Sequence, residues 1–128
     1  MRALLDTHIL LWAIGGSRRL PRQARQAILD PANEILFSAA SIWEIAIKSQ
    51  VRRGDFAADP AEIATAAIDS GFDELPVRAQ HGALTARLAM HHRDPFDRLL
   101  IAQAMTEPAR LITVDARLRR YSDLVLVL

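Results

Sequence analysis

The chain has 128 residues, of which 51% are hydrophobic and 24% charged. That suits one domain burying about two thirds of its surface, and it excludes disorder or a collagen-like repeat. No apolar run approaches the roughly 20 residues a bilayer requires. The absence of cysteine excludes a disulfide framework, a thiolate nucleophile, a zinc finger and an iron–sulfur site. Asp6 and His8 interrupt the apolar opening, which argues against a signal peptide, so a cytoplasmic soluble domain is expected. Net charge is only +1, so no global field draws a polyanion. Lys48 is the one lysine among the bases. Codon usage accounts for the arginine excess, although guanidinium forks also suit phosphate.

Short β-like runs alternate with amphipathic helices. Arg2 to Leu5 reads as a strand, and Thr7 to Ile14 as a helix broken at Gly15-Gly16-Ser17. Pro21 opens a helix that ends near Asp30-Pro31. Glu34 to Phe37 is a second strand, and Ser38 caps a helix from Ala39 to about Gln50. A polar loop is expected over Arg52 to Asp59, around Gly54. Pro60 starts a helix that stops at Gly71, Phe72 to Leu75 is a third strand, and Val77 to about Met90 a further helix. Pro95 starts a helix reaching Glu107, with strands at Leu111 to Val114 and Leu124 to Leu128. Strands separated by helices imply parallel pairing through right-handed crossovers, with helices on both faces. The expectation is one three-layer α/β/α domain over residues 1–128, with a central, mainly parallel sheet of about five strands.

The acids fall in telling places. Ligands of an open parallel sheet sit beyond the carboxyl ends of its strands, at the switch in strand order. Asp6 ends the first strand and Asp115 the fourth, so both project into one crevice if those strands are neighbours. Glu44 is a lone acid on a helix that is apolar almost all round, in a polar stripe with Ser41 and Lys48. Asp97 shares a core-facing row with Leu100, Ile101 and Ala104. Each acid also has a structural explanation. Asp94-Pro95-Phe96-Asp97 fits Ncap to N3 of a capping box, Asp6 and Asp115 suit caps, and Glu44 with Lys48 suits an i, i+4 ion pair. Gathered together, however, the carboxylates need compensation. Two of them about 4 Å apart repel by roughly 4 kcal/mol at an effective dielectric near 20. A hard divalent cation supplies it, since Mg²⁺ and Mn²⁺ prefer carboxylate and water oxygens. Such a site suits phosphodiester hydrolysis by a metal-activated water.

Four stretches carry a resemblance. They are Leu4-Leu5-Asp6-Thr7-His8, Ser38 to Lys48 (SAASIWEIAIK), His92 to Ala104 (HRDPFDRLLIAQA) and Leu111-Ile112-Thr113-Val114-Asp115. In this order and spacing the chain resembles the PIN-domain ribonucleases, and within them the VapC-type toxins of toxin–antitoxin pairs. The resemblance implies a PIN-like fold and an endoribonuclease using one or two Mg²⁺ or Mn²⁺ ions. It assigns metal binding and catalysis to Asp6, Glu44, Asp97 and Asp115. Thr7, Ser38 and Thr113 match polar positions that orient carboxylates or waters, and Asp94 is either a cap or an outer-shell group. It also implies an antitoxin partner whose amphipathic segment lies over the toxin groove.

Arg18, Arg19, Arg93, Arg98 and Arg117 lie near these motifs and are candidate phosphate contacts for RNA, although each also fits an ordinary surface charge. His91 and His92 read as loop elements ahead of the Asp94 turn. Trp12, Trp43 and Tyr121 read as core or interface. The helices around Ile9 to Trp12 and Ile42 to Ile47 carry more apolar surface than one sheet covers, which suggests a homodimer. Two enzymatic rivals fail on direct reading. A phosphoacceptor receiver needs an acidic pair after the first strand, and a haloacid-dehalogenase-type phosphatase needs an acid at His8. A non-catalytic binding module whose acids only cap helices, and a PIN-like nuclease acting on other nucleic acid, remain as alternatives.

Overall fold

Alternation along the strands sets the layers. In β1 (Arg2–Leu5), Ala3 and Leu5 face one side and Leu4 the other, because successive strand side chains point to opposite faces. The same division runs through β2 (Glu34–Ser38) and β4 (Arg110–Thr113), and β3 (Asp73–Leu75) and β5 (Val125–Val127) complete the sheet. The computed structural model describes residues 1–51 and 57–128, so Arg52 to Phe56 of the expected polar loop lie outside the described residues.

All strand pairs are parallel, in the order β3-β2-β1-β4-β5. The chain moves outward from β1 through β2 to β3, then crosses to β4 on the other side of β1. The strand order therefore reverses between β1 and β4, where their carboxyl ends lie side by side. One face packs against α1 (Thr7–Gly15), α2 (Arg22–Leu29), α3 (Ala39–Ser49) and α4 (Pro60–Asp69). Its core joins Leu5, Phe37 and Ile112 to Ile9, Leu10, Ala24, Ile45 and Ala67. On the opposite face, α6 (Pro95–Thr106) and a 3-10 helix (Ala116–Tyr121) place Leu100, Ile101, Ala104 and Leu118 against Leu4, Leu36 and Leu111. The expected three-layer architecture is present. No helix among the described residues is long and apolar enough to cross a membrane.

Local signals explain the boundaries. Gly16 ends α1 in the left-handed region at φ 63°, and its N–H returns to the Trp12 carbonyl, which is the geometry glycine adopts without strain. Helix ends fall within about two residues of expectation, except in one place. The helix expected from Val77 to Met90 is only α5 (Ala79–Thr85). Beyond it, the guanidinium of Arg98 takes the carbonyls of Thr85, Leu88, Ala89 and His92, pinning residues 86–94 in an irregular path.

α3 is turned against its composition. Its polar residues Ser41 and Glu44 are buried at 1% and 3% exposure, while Trp43 is 61% and Ile47 41% exposed. The apolar residues of α1, by contrast, are covered within the chain: Ile9, Leu10 and Leu11 are buried. The excess apolar surface expected on both helices is thus confined to α3.

Candidate metal centre

Asp6 follows β1 directly and caps α1: its Oδ1 accepts from Ile9 N at 2.8 Å. Its Oδ2 accepts a short hydrogen bond from the Thr113 hydroxyl at the end of β4, so the two strands at the switch point are tied through this carboxylate. Thr113 Oγ1 in turn accepts from Asp115 N at 3.0 Å. One hydroxyl therefore orients both strand-end acids. Burial pushes the Asp6 carboxyl up to about 6, and the neighbouring charges of Glu44 and Asp115 act in the same direction.

Glu44 approaches from α3. Its Oε1 accepts from the buried Thr7 hydroxyl at 2.6 Å, and its Oε2 pairs with Lys48 one turn on. Ser41 Oγ lies 3.0 Å from Thr7 Oγ1. Ser41 and Glu44 are buried, and the Thr7 hydroxyl between them replaces hydrogen bonding that water would otherwise supply, while Lys48 at the end of the stripe is half-buried.

α6 brings the third acid. Asp94 caps this helix, its Oδ1 accepting from Phe96 N at 2.8 Å and Asp97 N at 3.1 Å, with Pro95 at the first turn. The cap reading of Asp94 is the one the geometry supports, with its Oδ2 left facing Lys48 at 3.9 Å. Asp97 turns its Oδ2 to His92 Nε2 at 2.8 Å. Burial, then the charges of Asp94, Asp6 and Glu44, push the Asp97 carboxyl up to about 6, against the His92 hydrogen bond.

Asp115 differs from these. It caps the 3-10 helix through Arg117 N, and the Arg117 guanidinium grips both of its oxygens at 2.8 and 3.0 Å. That bidentate pair holds its carboxyl below the ordinary value.

Of the residues expected here, Asp6, Glu44, Asp97 and Asp115 share one electrostatic neighbourhood, with Thr7, Thr113 and Asp94 among them. Two expectations need correction. Arg98 is 9% exposed and donates to four carbonyls and the Tyr121 hydroxyl, so it has no fork to offer phosphate. Ser38 Oγ accepts from Ala40 N at 3.0 Å and starts α3 instead of orienting a carboxylate. Arg18 and Arg19 are exposed beyond the far end of α1, about 14 Å of helix from Asp6. Arg93 and Arg117 lie closer. With Met90, His91, His92 and Asp94 they line an open cavity of about 370 Å³ beside the acids.

His92, which the sequence offers as a general acid or ligand but favours as a loop element, lies against the acids. Its backbone N–H donates to the Tyr121 hydroxyl at 2.8 Å, and its carbonyl accepts from Arg98 and Tyr121, which fixes the ring on Asp97. His92, Asp94 and Asp97 present donor atoms all within 4.8 Å of one another. A histidine five residues before a helix acid, across a capped turn, was the available signal.

The donor set fits a hard divalent cation. Its groups are carboxylate oxygens with one imidazole, and Asp6 and Asp97 are crowded and desolvated enough to resist ionising without a cation.

A parallel sheet with carboxylates gathered at its β1/β4 switch point defines the class. Residues 3–124 match the PIN domain family, and the chain belongs to it. It is 29% identical to Ribonuclease VapC22 of Mycobacterium tuberculosis, over 92% of this chain and 90% of that one. The VapBC2 complex of Rickettsia felis, solved with a DNA fragment from its promoter, contains a similar chain. It aligns with a TM-score of 0.71 and 18% identity over 98% and 97% of the two chains. VapBC-1 from nontypeable Haemophilus influenzae aligns with a TM-score of 0.63 and 17% identity over 94% and 91%.

Proposed function

We propose that this chain is a Mg²⁺- or Mn²⁺-dependent endoribonuclease, the toxin of a toxin–antitoxin pair. The observation that carries it is the pairing of Glu44 and Asp97 with Asp6. Asp6, Asp94 and Asp115 each cap a helix, as a purely structural reading requires. Glu44 lies within a helix, and the Asp97 carboxylate bonds His92 rather than a helix end. Lys48 gives Glu44 the i, i+4 partner that a structural reading also allows, so Asp97, whose carboxylate caps nothing, is what weighs against the non-catalytic alternative.

Asp6, Asp97 and Asp115, with Glu44, are the residues to hold one or two ions. A bound divalent cation supplies charge neutralisation for phosphate oxygens and a lowered pKa for a coordinated water. Thr113 keeps Asp6 aligned, Thr7 keeps Glu44 aligned, and His92 keeps Asp97 aligned. Arg93 and Arg117 line the cavity and supply positive charge where a phosphate chain would pass. The nearby side chains include no cysteine or lysine nucleophile other than Lys48, which is paired with Glu44, so no covalent enzyme intermediate is expected.

The partners in this reading are RNA, a cognate antitoxin and a second copy of the chain, in the cytoplasm. VapBC is the toxin–antitoxin pairing of the similar structures. The exposed Trp43 and Ile47 on α3 are the apolar surface available for the dimer. A monomer by light scattering at micromolar concentration overturns the dimer.

The test is cleavage of structured and total RNA by purified protein with Mg²⁺ or Mn²⁺, beside an EDTA control and Asp97→Asn. Expected is cutting that disappears with EDTA and in the folded variant. Full cleavage by folded Asp97→Asn overturns the assignment.

A further inference from the structure

We infer that the Lys48 ammonium is a resident cation of the acid site and limits it to a single divalent ion. The inference rests on the metal-dependent reading above and concerns the number of ions, which that reading leaves at one or two.

Glu44 is 3% exposed and both of its oxygens are occupied, Oε1 by the Thr7 hydroxyl and Oε2 by Lys48 Nζ. The same ammonium stands 3.9 Å from Asp94 Oδ2, so one point charge lies between a carboxylate of α3 and the cap of α6. Phe96 walls the position, its ring centroid 5.8 Å from Nζ, and the Lys48 side chain is only 20% exposed. The ammonium is thus held by two elements and screened by an aromatic face.

The residue type matters. Lys48 is the one lysine in a chain whose other bases are all arginine, and it occupies the place where a compact charge fits between two acids. A planar guanidinium grips one carboxylate with two parallel bonds, as Arg117 does at Asp115, while an ammonium is a point charge with rotatable donors. A divalent ion drawn to Glu44 Oε2 and Asp94 Oδ2 would have to displace Lys48 or share its space against like-charge repulsion. Asp6 and Asp97 have no such contact with Lys48 in the ion pairs described and remain for the one ion. Asp115 is paired with Arg117, but that guanidinium is 69% exposed and can swing out to water, unlike the walled Lys48.

The experiment counts Mn²⁺ bound per chain by electron paramagnetic resonance of the free ion, at neutral pH. Wild type is expected to bind one ion, Lys48→Met two, and Lys48→Arg one. The double variant Glu44→Gln/Lys48→Met is expected to return to one. If Lys48→Met does not fold, Lys48→Gln, which keeps a donor toward Glu44 but no charge, carries the same count. Two ions in the wild type, or one in every folded charge-deleting variant, overturn the inference alone. No Mn²⁺ bound by folded wild type overturns the metal-dependent reading and the inference with it.

Discussion

The two walls of the acid site treat the same chemical group in opposite ways. On the inner wall, Asp6 and Asp97 are desolvated and crowded, and both carboxyls are pushed up to about 6. On the outer wall, Asp115 is held below its ordinary value by the exposed Arg117 guanidinium. Asp6 and Asp115 follow neighbouring strands, each caps the helix after it, and one threonine touches both. The backbone setting is therefore shared, and burial against a charged partner makes the difference. The inner wall needs a cation from outside the chain, whereas the outer wall carries its own.

Asp6→Asn breaks this contrast with the largest expected effect. Cleavage should fall by more than the roughly 10- to 100-fold typical of residues that only orient a metal ligand. Stability should move the other way. The folded-state pKa of Asp6 is raised, so between about pH 4 and 6 the folded protein holds more protons than the unfolded chain. Its contribution is fully present below the unfolded value and is lost as pH rises through about 6. Asparagine keeps an acceptor for Ile9 N and a partner for Thr113 without that charge. In EDTA at pH 7.5 the variant should be more stable than wild type by up to about 3 kcal/mol, with the gap closing toward pH 4. Urea unfolding at the two pH values measures it, and equal stability at pH 7.5 would remove the strained inner wall.

Arg98 and Arg117 extend the comparison to the bases. Arg98→Met should cost about 3 kcal/mol by urea unfolding, because it strips a buried guanidinium from four carbonyls and the Tyr121 hydroxyl. It should also loosen residues 86–94 and raise their hydrogen exchange. A loss below 1 kcal/mol would mean that solvent satisfies those carbonyls. A smaller effect is expected for Thr113→Val, which removes the hydroxyl between the walls. Cleavage should drop about 10- to 100-fold with the fold retained, and unchanged activity would show that Asp6 keeps its place without Thr113.

What could be read from the sequence divides along similar lines. The strands, the caps and the carboxylate crevice were legible because they depend on local pattern: short continuous apolar runs, Asp or Ser before a helix, acids at strand ends. The i, i+4 pair of Glu44 and Lys48 was legible for the same reason. Its burial was not, since α3 turns its polar stripe inward to meet Thr7, 37 residues away from Glu44. Arg98 looked like a surface base because helix periodicity says nothing of the carbonyls that a neighbouring irregular segment presents. That segment was read as helix because its own residues permit one, and only the long-range guanidinium contacts divert it. His92 was hidden by the same diversion, which carries its ring onto Asp97.

Arg117→Ala is the mildest way to sharpen the contrast, because it removes the outer wall's own cation and leaves every buried group in place. Arg117 is the largest influence holding the Asp115 carboxyl down, so in the variant that carboxyl should titrate at a higher pH, followed by the side-chain carbon resonance of Asp115. A lowered carboxyl contributes stability above its unfolded value and loses it as pH falls through the folded one. Wild type and variant should therefore differ only above that acidic range, and little even there, because the pair is exposed and screened. Cleavage should fall far less than in Asp6→Asn. If the Asp115 resonance titrates alike in both proteins, the guanidinium is not what separates the two walls, and the lower exposure of Asp6 alone would have to account for their difference.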